Sequence, residues 1–273
     1  MKISSKIYMS LIMLFLYAPI IVMIVFSFNS SNSTGVMAGF STKWYGELLN
    51  SSSILNALRN TIVLALCSSV ISVVIGTTAA VGIFVLKHKW LRSSILTVTN
   101  IPMMNPDIVT GVSMMLLFVF VGQMLGMREV LGFGTLLIAH ITFNLPYVIL
   151  SVLPKLRQTD PHLAEAAQDL GCTPFKAFFK VVLPSITTGI VTGFIMAFTL
   201  SLDDFIISYF TSGPEYQTLP ILIFSMTKRR VTPDIYALST LIFVVILVLL
   251  LVMNITQSRA ENKTKKVRTK EGY

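Results

Sequence analysis

An all-α integral membrane protein with six transmembrane helices is the fold class this sequence predicts, and three observations predict it. The 273 residues are 54% hydrophobic and only 12% charged, with a mean hydropathy of +0.78, whereas a soluble chain carries about 25% charged residues. Six stretches reach the roughly 20 apolar residues a helix needs to cross about 30 Å of hydrocarbon: residues 7–28, 61–86, 95–121, 131–153, 185–210 and 235–256. Placing both termini inside puts most Lys and Arg on the cytoplasmic face, including Lys2, Lys6, Lys87, Lys89, Arg92, Lys155, Arg157 and the C-terminal run, as the positive-inside rule requires. Lys43, Arg59, Arg128, Lys228, Arg229 and Arg230 are then outside. The net charge of +9 belongs to lipid headgroups rather than nucleic acid.

The first stretch follows Lys2 and Lys6 like a signal peptide, but it is too long for one and Tyr17-Ala18-Pro19-Ile20 offers no small-residue cleavage site, so it reads as a retained anchor. A Ser/Asn/Gly run at 29–35 is a loop by composition. Phe40 to Tyr45 follows, with Trp44-Tyr45 suited to a membrane interface. Residues 1–59 therefore separate from a block at 60–256, and residues 257–273 form a basic cytoplasmic tail whose composition predicts disorder.

Within the block, Pro102 and Pro106 predict a bend or break about midway across the third span. Such a break is tolerated only where protein or a water-filled cavity covers it. Gly189 and Gly193 have the small-xxx-small spacing of close helix packing in lipid. Cys67 in a span and Cys172 in a cytoplasmic loop are placed too differently to pair, and no His/Cys spacing suggests a metal site.

The longest inside segment, 154–184, reads as two short helices. Asp160 is a cap with Pro161 at the first helical position, Gly171 ends that helix, and Thr173-Pro174 opens the next, which Pro184 closes. Small residues at Ala166 and Ala167 and aromatics at Phe175, Phe178 and Phe179 suit helix-in-groove docking; the same composition also suits a loop lying on the bilayer.

Glu165-Ala166-Ala167, Gly171 and Val181-Val182-Leu183-Pro184 resemble the EAA loop of ABC-importer permeases. Only Val181, in place of Ile, departs from that pattern. Phe40 to Tyr45, Asn105 to Val109, His140 to Pro146, Phe198 to Asp204 and Ser212 to Pro214 are similar to PotC-type permeases of spermidine/putrescine importers. The resemblance implies a type I ABC-importer permease (MetI-like) fold and a non-catalytic subunit forming half of a polyamine path. Its implied partners are a second, PotB-like permease, two PotA-like ATPases that bind ATP and Mg, and an extracytoplasmic PotD-like binding protein. Glu165, Ala166, Ala167, Gly171, Leu183 and Pro184 are implied to couple to the ATPases. The chain has no phosphate-binding Gly-x-x-x-x-Gly-Lys-Ser/Thr loop of its own.

Ionisable groups inside spans are costly and usually face a cavity or a partner. Asp107, His140, Asp203 and Asp204 are the candidates. Spaced carboxylates with aromatic walls complement a polyammonium chain, so Asp107, Asp203 and Asp204 are expected to line the path, with Tyr209 and Tyr147 as aromatic contacts. Asp107 is equally placed to cap the resumed helix, and adjacent Asp203 and Asp204 point about 100° apart, so that one faces the path and the other a neighbouring helix. His140, one turn from Asn144, is read as a helix-to-helix hydrogen bonder. The EAA loop alone leaves another small cationic or polar solute open as cargo. An autonomous channel or intramembrane enzyme leaves that loop without a purpose.

Overall fold

The computed structural model describes residues 3–31, 36–160, 162–228 and 233–270. Its regular structure is helical; the sole strand-like feature among the described residues is a bridge between Asn29 and Phe40. Five helices are long and apolar enough to cross a membrane, six if a pair bent by 69° is counted as one span. The chain forms two units, Met1–Leu58 with Leu219–Leu250, and Arg59–Thr218 with Leu251–Tyr273.

In the first unit, α1 (Ile3–Phe26) is apolar on every face and leaves Ile7, Leu11, Leu14 and Phe15 exposed, the surface of a helix meant for lipid. The loop after it is folded around Asn29. Its side chain donates to the Val36 carbonyl (2.7 Å) and accepts from the Ala38 amide (3.0 Å), and its own carbonyl accepts from the Trp44 indole (2.7 Å). Residues 32–35 lie outside the described residues. Trp44 is in the first turn of α2 (Lys43–Asn50) and is buried with Leu48, Ala57, Leu219, Leu222, Ala237 and Leu238. The interface role expected of Trp44 is thus corrected: its indole donor is spent on Asn29, leaving an apolar body that packs inward.

In the second unit, α3 (Ser52–Val85) from Arg59 onward, α6 (Phe133–Gln158) and α10 (Thr187–Asp203) build the core, centred on Ala80, Val148, Ile149, Val152, Leu153, Ile186 and Ala197. The Gly189/Gly193 pair is used as its spacing predicts. A Cβ at Gly189 would stand 2.8 Å from Lys155 Cγ and 3.0 Å from the Ser151 carbonyl, and one at Gly193 would stand 3.3 Å from Val148 Cα. Gly193→Leu is therefore expected to overpack the α6–α10 seam by about 1–3 kcal/mol and to reduce the yield of folded, detergent-extracted protein. Gly82→Leu, at a position with nothing within 4 Å, is the control that keeps its yield.

The proline-rich third span is broken, at one of its two prolines. α4 (Lys89–Met104) passes through Pro102 near its end, and Asn105 turns extended (ψ 141°) before Pro106, the conformation a following proline imposes. α5 (Asp107–Met124) then starts afresh. At the other end of the chain, α12 (Leu219–Thr227) and α13 (Pro233–Lys270) follow. The expected disorder of the tail is corrected as far as Lys270: residues 257–270 continue α13, because a Glu, Lys, Arg and Gln run without Gly or Pro propagates a helix already nucleated by the span. Residues 271–273 lie outside the described residues.

Candidate functional site

The carboxylates of Asp107, Asp203 and Asp204 meet at one cavity of about 320 Å³, walled by Phe143, Leu200, Phe205 and Ile206. Two interruptions in the helices border it. Asp107 is the first residue of α5, directly after the Pro106 break. The N-cap of that helix is Pro106, whose carbonyl accepts from the Val109 and Thr110 amides, and no side-chain cap is made. Asp203 ends α10, and the chain runs extended through Asp204 (φ −65°, ψ 122°) before α11 (Ile206–Thr211) resumes. Phe143 lies close to the midpoint of α6, so the cavity sits about halfway along that helix.

The two adjacent aspartates do different things. Asp203 is exposed to the cavity. Asp204 is tied down: its Oδ1 accepts from the Ile207 amide (3.2 Å) and its Oδ2 from the Ser208 amide (2.7 Å), satisfying two of the free donors at the start of α11. His140 Nε2 is 3.5 Å from the same Oδ2.

Tyr147 and Tyr209 are not among the residues that line the cavity; Tyr147 packs on Phe143 (centroids 5.6 Å apart) and Tyr209 on Phe205 (5.5 Å). Phe143 and Phe205 take the wall positions. Sequence reasoning missed both, since a phenylalanine in a span carries no signal separating a cavity wall from a lipid contact. A larger cavity of about 550 Å³ lies between the α5–α6 connection and Pro214 to Tyr216. It is mostly apolar and holds none of the intramembrane carboxylates.

His140 is 1% exposed. Its Nδ1 pairs with Ser201 Oγ (2.7 Å) and its Nε2 with Ser208 Oγ (2.9 Å), while Ser201 Oγ also pairs with Ser68 Oγ (2.9 Å). The neighbouring Asn144 amide, fully buried, bonds none of these groups.

The loop between α6 and α10 forms α7 (Leu163–Asp169), α8 (Pro174–Ala177), a π-helical turn at Phe178–Val182 and α9 (Leu183–Ser185). Gly171 has φ +86°, the left-handed conformation glycine adopts without strain. Its amide bonds the Gln168 carbonyl (2.9 Å) and that of Cys172 bonds the Ala167 carbonyl (3.0 Å), the paired closure of a Schellman motif. Asp160 Oδ1 accepts from the His162 amide (2.9 Å); Pro161 lies outside the described residues. Thr173 Oγ1 caps α8 by accepting from the Lys176 amide (3.4 Å).

Of the two small residues expected on the loop's surface, Ala166 is exposed and Ala167 is buried at 8%, because it faces the turn that Gly171 closes. Leu170, Phe175 and Phe179 are 87%, 73% and 48% exposed. The π turn precedes Pro184, which has no amide to offer the Lys180 carbonyl. The sharp bend comes two residues after Pro184, at buried Ile186 (φ −102°, ψ 6°). His162 Nδ1 donates to Glu165 Oε2 (3.1 Å). That bond first, then the charges of Glu165 and Asp160, hold the His162 imidazole above its usual titration range. Any stability it lends the loop is present below the ordinary histidine range and is lost as pH rises through the raised one.

Residues 72–266 match the family described as binding-protein-dependent transport system inner membrane component. The chain is 41% identical over 228 residues to the putrescine transport system permease protein PotI of Escherichia coli K12, covering 84% of this chain and 81% of that one. It is 38% identical over 258 residues, 94% of each chain, to the spermidine/putrescine transport system permease protein PotC of the same strain. In fold it is similar to a crystallised bacterial ABC transporter involved in the import of the acidic polysaccharide alginate, with TM-score 0.73, 19% identity and 94% of both chains covered. The interrupted helices and the capped loop between α6 and α10 are thus parts of a transporter, and the chain belongs to the family of inner-membrane permease components of binding-protein-dependent transport systems.

Proposed function

We propose that this permease carries polyamines, and that Asp107 and Asp203 are the groups its cargo meets. The observation that carries the reading is the cavity itself, which three aspartates and two phenylalanines line halfway along α6 and no lysine or arginine lines. A polyamine alternates ammonium groups with methylenes, so it is matched by charge-assisted hydrogen bonds at the carboxylates and by cation-π and apolar contact at the rings. The names of the relatives, putrescine and spermidine/putrescine permeases, agree with that chemistry.

In this reading the chain forms half of the path beside a PotB-like second permease, with both termini cytoplasmic. Two PotA-like ATPases bind ATP and Mg and take the inside loop into a cleft, and a PotD-like protein delivers the cargo outside. Leu170, Phe175 and Phe179, all exposed, suit the ATPase contact, with Glu165, Ala166, Ala167, Gly171, Leu183 and Pro184 shaping it.

The test is uptake of labelled spermidine and putrescine into vesicles carrying the reconstituted complex, with binding protein outside and ATP within. Saturable, ATP-dependent uptake of either is expected. An assembled complex that hydrolyses ATP in response to its binding protein but takes up neither would leave a permease with different cargo, such as another small cation or polar solute.

A further inference from the structure

His140 lines no part of the cavity, yet its ring touches both helices whose separation creates it. Ser201 is in the last turn of α10 and Ser208 is in α11, so the two ring nitrogens reach across the break, at 2.7 and 2.9 Å. In the neutral ring one nitrogen donates and the other accepts, so the serine hydroxyls complete both bonds in either tautomer. Ser201 passes the link to Ser68 of α3, and the Ser208 amide holds the Asp204 carboxylate. All of these groups except Asp204 are at most 1% exposed, where no water competes for the bonds.

Resting on the reading of the cavity as the cargo's path, we propose that His140, Ser201 and Ser208 clamp the α10–α11 break and thereby aim the carboxylate of Asp203, making His140 a positioning residue for transport. The clamp fixes where α10 stops and α11 starts. That holds Asp204 against the α11 amides, and Asp203, about 100° around the helix from it, is turned into the cavity. Removing one arm leaves a buried ring nitrogen without its partner and frees the two helices to shift.

The test reads the position of residue 203 directly. In a chain carrying Cys67→Ala and Cys172→Ser, Asp203→Cys is labelled with a cationic methanethiosulfonate reagent in the assembled complex, and Glu215→Cys in the outer loop serves as control. Adding His140→Ala or Ser208→Ala is expected to change the labelling rate at 203 about fivefold, the effect of one lost buried hydrogen bond, with the rate at 215 unchanged. His140→Gln, which keeps a donor and an acceptor, is expected to fall between. With Asp203 intact, the same substitutions are expected to raise the polyamine concentration for half-maximal uptake at equal levels of assembled complex.

Equal rates at 203 in all these backgrounds would overturn the clamp. Should His140→Ala fail to assemble, Ser208→Ala, which deletes a single hydroxyl, decides the matter. A shift in labelling combined with normal uptake by Asp203→Asn supports the clamp and removes Asp203 from the cargo's path.

Discussion

Asp203→Asn is expected to lower the initial rate of polyamine uptake by about tenfold to a hundredfold at an unchanged level of assembled complex. Hydrogen bonds to a charged partner contribute about 1.5–3 kcal/mol, and each 1.4 kcal/mol is a factor of ten. Asparagine keeps the shape of Asp203 and loses only the charge, and because that side chain faces open cavity the protein itself loses little. Asp107→Asn is expected to behave alike, since Pro106 rather than Asp107 occupies the cap of α5. Asp204→Asn differs in kind. Its carboxylate accepts from two amides of α11 and asparagine has one acceptor oxygen, so loss of assembled complex accompanies any loss of uptake. Initial uptake rates, normalised to complex quantified by gel filtration, separate these cases. Normal uptake by the Asp107→Asn, Asp203→Asn double variant would falsify the role of the cavity.

The parts of this site that were legible in the sequence are those written in neighbouring residues. Gly171 and Thr173-Pro174 announced a helix end and a helix start, and both are made by bonds spanning five residues or fewer. Pro106 announced the break in the third span, though not that Pro102 would stay within α4. Asp107 and Asp203 stood out because charge is rare at that depth. The partners of His140 were not legible. Ser201 and Ser208 lie 61 and 68 residues away, and a serine in a span bonds its own helix as readily as another. Trp44 was misread for a related reason, since only the folded loop shows its indole meeting the Asn29 carbonyl 15 residues back. Local chemistry is written in spacing; contacts across the bundle depend on packing that no short pattern encodes.

Gly171→Val is expected to lower uptake at least tenfold, whereas Gly171→Asn keeps most of it, and the contrast isolates backbone conformation from side-chain contact. At φ +86° an L-residue other than Asn or Asp pays about 1–2 kcal/mol, and more if β-branched. The cost falls on α7, seven residues long, which is too short to persist without its caps. A Cβ at 171 meets nothing within 4 Å, so crowding cannot account for the loss. With the Schellman closure gone, Ala167 is expected to leave its buried position and Leu170, Glu165 and Ala166 to lose the fixed arrangement proposed to meet the ATPase. Glu165→Arg is the complementary change: among the described residues the exposed Glu165 side chain bonds only His162, so the loop is expected to fold and the reversed charge to act on the proposed ATPase contact. In both Gly171→Val and Glu165→Arg, ATP hydrolysis is expected to lose its stimulation by loaded binding protein in parallel with uptake. If stimulation persists while uptake falls, the loop is not the coupling element and its exposed apolar residues serve the lipid surface instead.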